Sequence, residues 1–62
     1  MTSLEKIKYI KEKGFSLAFI AEKTNIDYFK MYRALRGGRG LSAHDGAKID
    51  RVYKLVEAFE NE

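Results

Sequence analysis

Two short segments with helical apolar spacing lie close together between Ser16 and Gly37, joined by only a few polar residues. Both segments place apolar residues at i, i+3 and i+4: Leu17, Ile20, Ala21 and then Met31, Ala34, Leu35. Between them, Asn25 tolerates a positive φ and so can end the first helix, and Asp27 can accept hydrogen bonds from the free N–H groups that open the second. Residues 16–37 are therefore predicted to form a helix-turn-helix.

From the chain length we expect one small domain. A chain of 62 residues buries only ~60% of the surface that it exposes when unfolded, so its stability is marginal and association into a homodimer is favoured. There is no cysteine, which excludes disulfides and thiolate zinc sites and favours the cytoplasm. No run approaches the ~20 apolar residues of a membrane span, and no signal-peptide pattern is present, so we expect neither a membrane partner nor processing.

Capping signals define the helices on either side of the motif. Thr2 and Glu5 have the spacing of a capping box, which opens a first helix that ends at Gly14. Ser42 and Asp45 repeat this spacing and open the last helix. No segment has a convincing strand pattern. The fold class predicted for residues 1–62 is all-α, a compact bundle of four to five helices with a central helix-turn-helix.

The last helix carries the longest apolar stripe of the chain. Its members follow the 3-4 spacing of a buried helix face: Ile49, Val52, Tyr53, Val56 and Phe59. A core this small does not need the far end of such a stripe. We therefore expect Val56 and Phe59 to form a dimer interface.

Positive charge is concentrated in the second half of the motif. The net charge is only +3, but the stretch 30–39 has four basic residues and no acidic one, which indicates a surface facing a polyanion such as nucleic acid. Arg33 is the best candidate for reading a base, because its guanidinium can bond bidentately to guanine. The residues expected to contact phosphates are the following: Ser16, Lys30, Arg36, Gly38 and Arg39.

Sequence patterns for catalysis or metal binding are absent. His44 has no second histidine or cysteine to complete a metal site, and a single histidine near a helix start is usually a surface or capping residue. The sequence has no nucleophile, general base and orienting group at the spacing of a known catalytic set. A domain of this size also has little room for a pocket. We expect no enzyme activity, no metal, no cofactor and no small-molecule ligand.

With the turn and its flanks placed, residues 3 to 57 resemble the helix-turn-helix family of Cro and the lambdoid phage repressors, also called the XRE family. The resemblance rests on apolar and small residues at fixed spacing, on a closing glycine and on a later amphipathic helix at 43–59: Ile20, Ala21, Ile26, Met31, Ala34 and Gly37. This chain departs from the family pattern at three positions. Asn25 stands where the family usually has glycine, and Thr24 stands where it usually has an apolar residue. Leu17 stands where family members often have a polar residue that contacts a phosphate.

The resemblance also implies which residues read bases. The family's base-reading positions fall on Asp27, Tyr28, Phe29, Tyr32 and Arg33. Three of these five are aromatic, where amide and hydroxyl side chains are usual. Phe29 or Tyr32 could instead pack against the first motif helix or the last helix.

Two functions follow from these patterns. The first is a sequence-specific regulator of transcription, a small Cro-like repressor or autoregulator of a phage or mobile element that binds double-stranded DNA as a homodimer at a palindromic operator. The alternative is a protein-binding adaptor, such as an antirepressor or a phage inhibitor, that uses an aromatic surface for its partner. That surface would contain Phe19, Tyr28, Phe29 and Tyr32.

Overall fold

The computed structural model describes residues 2–37 and 40–60, and these form four helices without a strand. The helices are α1 (Ser3–Glu12), α2 (Leu17–Thr24), α3 (Tyr28–Gly37) and α4 (Ala43–Glu60). This confirms the all-helical class predicted from the sequence. None of these helices is long and apolar enough to cross a membrane.

Both predicted capping boxes are present. The Thr2 hydroxyl accepts the Glu5 N–H at 3.2 Å, and the Glu5 carboxylate accepts the Thr2 N–H at 3.1 Å. The same two bonds join Ser42 and Asp45, each at 3.1 Å. Because the first N–H groups of a helix have no partner within it, these side chains determine where α1 and α4 begin.

Left-handed residues end the first two helices, as the sequence predicts. Gly14 follows α1 with φ +101°, and Asn25 caps α2 with φ +58° and donates its N–H to the Ala21 carbonyl. Asparagine is one of the few residues with a side chain that occupy this region without large strain. The chain therefore turns at Asn25 even though no glycine is present there.

The core lies where α4 crosses α1 and α2, and α3 packs against α2. Its buried apolar side chains come from all four helices and from the turn before α3: Ile7, Ile10, Leu17, Ile20, Ala21, Ile26, Met31, Ala34, Ile49, Val52 and Val56. A Cβ atom at Gly46 would lie 2.9 Å from the Ser3 hydroxyl oxygen, so a larger residue there would require the Ser3 side chain to move.

One prediction about the dimer interface is corrected. Val56 is buried in the monomer core, so it is not available as a dimer contact. The reason is that α4 is 18 residues long and lies against both α1 and α2, which cover more of its apolar stripe than the sequence suggests. Phe59 remains 72% exposed.

Candidate nucleic-acid interface

The connection from α2 to α3 is fixed by backbone and side-chain hydrogen bonds. The Ile26 N–H donates to the Ala21 carbonyl at 3.2 Å, and the Ile26 side chain is buried. Asp27 then opens α3, since its carboxylate accepts the Lys30 N–H at 3.2 Å and its carbonyl accepts the Met31 N–H at 3.1 Å. These contacts hold α3 in one orientation relative to α2.

Thr24 occupies the position where the resembled family has an apolar residue. Its side chain is buried, and its hydroxyl donates to the Ile20 carbonyl at 2.7 Å. A threonine whose hydroxyl is satisfied within its own helix can take the place of an apolar residue. Leu17, the other departure in α2, is also buried, so its side chain belongs to the core rather than to an external surface.

One side of α3 consists entirely of exposed aromatic and basic residues. Tyr28, Tyr32 and Arg36 follow one another at i, i+4 and i+8, and Phe29 and Arg33 form the neighbouring i, i+4 row. All five are exposed, whereas Met31 and Ala34 on the opposite side of α3 are buried. We call the exposed side the α3 face; it is defined by these five residues: Tyr28, Phe29, Tyr32, Arg33 and Arg36.

Contacts within the α3 face hold some of its side chains in place. The rings of Tyr28 and Phe29 meet edge to face, with centroids 5.6 Å apart. The Arg36 guanidinium donates to the Tyr32 hydroxyl at 3.3 Å and lies 5.8 Å from the centre of that ring. Phe29 nevertheless remains 64% exposed. The alternative in which Phe29 or Tyr32 packs inside the protein is therefore wrong.

Lys30 lies beside the α3 face and points toward α4. Its ammonium group is 2.6 Å from the Asp45 carboxylate. This hydrogen bond, followed by the one from the Ser42 N–H, lowers the pKa of Asp45 to about 2. Lys30 therefore joins α3 to the start of α4 in this structure. The sequence assigned Asp45 only to capping, because nothing in the local pattern shows that a lysine of another helix reaches it.

The remaining predicted contacts lie at the ends of the motif. The Ser16 hydroxyl caps α2 by accepting the Phe19 N–H at 3.1 Å, and it keeps a proton to donate. Asp27 directs one carboxylate oxygen to its own helix. Gly38 and Arg39, predicted to contact phosphates, lie outside the residues that the structure describes.

A second surface feature, not predicted from the sequence, lies between α2 and the second half of α4. It is an open groove of about 600 Å³. Phe19 forms part of its wall, stacks on Phe15 with ring centres 4.8 Å apart and packs against the edge of the core. None of the α3 aromatics lines the groove. The four aromatics expected to form an adaptor surface therefore do not share this groove, because only Phe19 lines it.

Within residues 2–37 and 40–60, no group of three or more histidine, cysteine or carboxylate side chains could hold a metal ion. His44 is exposed at the start of α4. Comparison of the chain with protein-family models, with curated proteins and with solved structures gives no match.

Proposed function

We propose that the protein binds double-stranded DNA sequence-specifically and regulates transcription. In this proposal α2, the turn at Asn25 and α3 form a helix-turn-helix of the Cro and lambdoid-repressor type, with α3 as its recognition helix. The observation that carries the proposal is the α3 face, where two arginines and three aromatic side chains are exposed without an acidic residue. A polyanion with apolar groups in its grooves is the partner that this combination suits.

The proposed reading mechanism uses the first turns of α3 in the major groove. Arg33 donates two hydrogen bonds to O6 and N7 of a guanine, a contact worth ~1–3 kcal/mol of discrimination. Tyr28 and Tyr32 offer hydroxyl groups to base edges or phosphates, and Phe29 offers apolar contact to a thymine methyl group. Asp27 contributes its free carboxylate oxygen to the same region, where it can accept a hydrogen bond from cytosine N4.

Phosphate contacts orient the helix without reading sequence. Arg36 supplies charge, and the Ser16 hydroxyl donates from the start of α2. Gly38 and Arg39 are proposed to contact the backbone after α3. Lys30 would reach a phosphate only by leaving Asp45, so we assign it a smaller share of the affinity than Arg36.

Two copies of the chain are proposed to bind one operator. A single ten-residue α3 reads only a few base pairs, and recognition helices of a two-fold dimer enter successive major grooves about 34 Å apart. The expected site is therefore palindromic, and a repressor or autoregulator that blocks a promoter is the simplest activity for one domain of this kind. Phe59 is exposed at the end of α4, but we do not assign the dimer contact to it.

Selection of bound sequences from a random duplex pool tests the proposal directly. We expect a two-fold symmetric consensus. Arg33→Ala should then reduce the preference for the selected site over a scrambled duplex by about tenfold, which corresponds to ~1.4 kcal/mol. Arg36→Ala should weaken binding to both duplexes equally and make the dependence on salt less steep.

Lys11→Ala is the matched control, because it removes one exposed positive charge on α1, outside the motif. It should leave both duplex affinities within about twofold of the unmodified protein. The proposal is wrong if no sequence is enriched from the pool. Arg33 loses its reading role if its substitution leaves the preference for the selected site unchanged.

The α3 aromatics also favour a second candidate, in which the same face binds a protein. A phenylalanine that is 64% exposed beside two exposed tyrosines resembles the aromatic anchors of protein interfaces. Phe29→Ser separates the two candidates. It should weaken DNA binding by at most about tenfold, since thymine contact is one of several interactions, whereas loss of a central anchor should abolish binding to a protein partner.

A further inference from the structure

The groove between α2 and α4 has an apolar floor with a basic rim, and we call it the α2–α4 groove. Leu55 and Phe59 contribute from α4 and are 68% and 72% exposed. The stacked rings of Phe15 and Phe19 form the opposite wall. Large apolar side chains that are gathered in one concave place and left open to water are typical of a binding surface rather than of the scattered apolar residues found on any protein.

Within residues 2–37 and 40–60, every charged side chain that lines the α2–α4 groove is basic. Lys23 lies on α2, with its ammonium group 5.7 Å from the centre of the Phe19 ring. Lys48 and Arg51 lie on α4. Among the residues that the structure describes, none of these three cations forms an ion pair. The groove therefore offers an apolar surface flanked by three positive charges, which acidic residues of a binding partner could neutralise.

We infer that the α2–α4 groove is a docking site for an amphipathic helix of a partner protein, with apolar residues on one side and acidic residues beside them. From Lys48 to Phe59 the groove follows α4 for ~16 Å, or about three turns. A helix of the same length places apolar side chains at i, i+3 or i+4, and i+7 into such a groove. Asp and Glu residues beside them would meet Lys23, Lys48 and Arg51.

Charge argues against a second copy of this chain as the occupant. A symmetric pairing through the groove would bring its three cations close to the same three of the other copy, and like charges at an interface are unfavourable. The acidic residues of the second half of α4 do not line the groove. Instead, Glu57 accepts a hydrogen bond from the Tyr53 hydroxyl at 2.9 Å, and Glu60 lies 3.9 Å from the Lys13 ammonium group.

Docking at this groove goes beyond the proposed DNA binding and does not depend on it. No residue of α3 lines the groove, so a partner helix could be bound while the α3 face is occupied or free. A protein that used both the α3 face and the α2–α4 groove would bring an acidic partner protein to a DNA site. The experiment therefore uses protein without DNA.

The test uses two designed helical peptides of about 14 residues, or ~21 Å, with the same leucine stripe. One carries glutamates beside the stripe and the other carries lysines. We expect the acidic peptide to bind at least about tenfold more tightly in fluorescence anisotropy, with binding weakened by salt. Amide shifts measured by NMR should change along α2 and α4 and not on the α3 face.

Two variants locate the peptide without altering the core. Leu55→Gln keeps the charge and should weaken the acidic peptide about tenfold, because it removes an exposed apolar contact. Arg51→Gln should weaken it about threefold, and Lys11→Gln, which removes the same charge from α1, should not. Leu55 and Lys11 lie outside the α3 face, so Leu55→Gln and the control Lys11→Gln should keep the DNA affinity of the unmodified protein.

The inference is overturned if neither peptide binds, if both bind equally, or if the shifts lie on α3. It is also overturned if sedimentation shows a dimer that Leu55→Gln converts to monomer, because the occupant would then be a second copy. Failure of the DNA selection, in contrast, would leave the peptide result unchanged, and the reverse also holds.

Discussion

Asp45 is the residue whose removal tests most directly how α3 is held. Its carboxylate accepts both the Ser42 N–H at 3.1 Å and the Lys30 ammonium group at 2.6 Å. Asp45→Asn keeps the shape and one oxygen that can accept the Ser42 N–H, but it removes the negative charge. The substitution therefore isolates the ion pair between α3 and α4 from the cap of α4.

The expected loss of stability follows from how exposed the Lys30–Asp45 ion pair is to water. Hydrogen bonds to charged groups contribute ~1.5–3 kcal/mol when they are protected from water, whereas exposed ion pairs contribute ~0.2–1 kcal/mol. The Asp45 side chain is nearly buried but that of Lys30 is 39% exposed, so we expect Asp45→Asn to lower the free energy of unfolding by about 1 kcal/mol. For a domain of this size, this corresponds to a fall in Tm of about 4–8 °C.

The pH dependence of this loss has a definite sign. Folding lowers the pKa of Asp45 from 3.8 to about 2, so the folded state favours the charged form. The stabilisation is complete above the unfolded pKa and is lost as the pH falls through about 2. The difference between the unmodified protein and Asp45→Asn should therefore be constant from pH 7 to about pH 5 and should shrink between about pH 4 and pH 2.

Urea unfolding of the unmodified protein, Asp45→Asn, Lys30→Met and the double variant measures the interaction as a thermodynamic cycle. We expect a coupling free energy of about 0.5–1 kcal/mol at pH 7 and almost none at pH 2. Strictly additive effects at pH 7 would show that the ion pair does not join α3 to α4 in solution. A deficit of Asp45→Asn that persists unchanged at pH 2 would refute the assigned pKa and its cause.

Two further predictions concern the turn and the end of α4. Asn25→Gly should preserve or slightly raise stability in thermal unfolding, whereas Asn25→Ala should lower it by about 1 kcal/mol. The reason is that φ is +58° at this position, where an alanine side chain is sterically strained and glycine is not. Equal effects of the two substitutions would contradict the left-handed turn. Val56→Ala should lower the free energy of unfolding by about 1–3 kcal/mol because Val56 is buried, whereas Phe59→Ala should change it by less than about 0.5 kcal/mol. A larger loss of stability for Phe59→Ala than for Val56→Ala in urea unfolding would show that Val56 is not buried in the core.

Local signals in the sequence explain why the helices could be predicted well. A capping box needs only residues three apart, so Thr2, Glu5, Ser42 and Asp45 gave the starts of α1 and α4 without any tertiary information. The left-handed tolerance of Asn25 is likewise a property of one residue. Apolar spacing then indicated which side of each helix is buried, and the burial of Met31 and Ala34 follows from it.

Contacts between distant segments could not be obtained in this way. The partner of Lys30 depends on where α4 starts in space, and the burial of Val56 depends on how far α1 and α2 extend along α4. The α2–α4 groove arises because Phe19 and Leu55, 36 positions apart in the sequence, lie on facing sides of two helices. Periodicity identifies one buried side per helix but does not show where two helices leave a gap between them.

The composition of the α3 face changes the energetics expected for the proposed DNA complex. Affinity that comes from phosphate contacts falls with salt at a slope of about −0.9 for each phosphate neutralised. The α3 face has two arginines, and Lys30 is held by Asp45, so the charged contribution from α3 is small. The three aromatic side chains would contribute by apolar burial, which salt does not screen. We therefore expect each copy to bind with a shallow salt dependence and a negative heat-capacity change, a combination that a purely basic, amide-reading helix would not give.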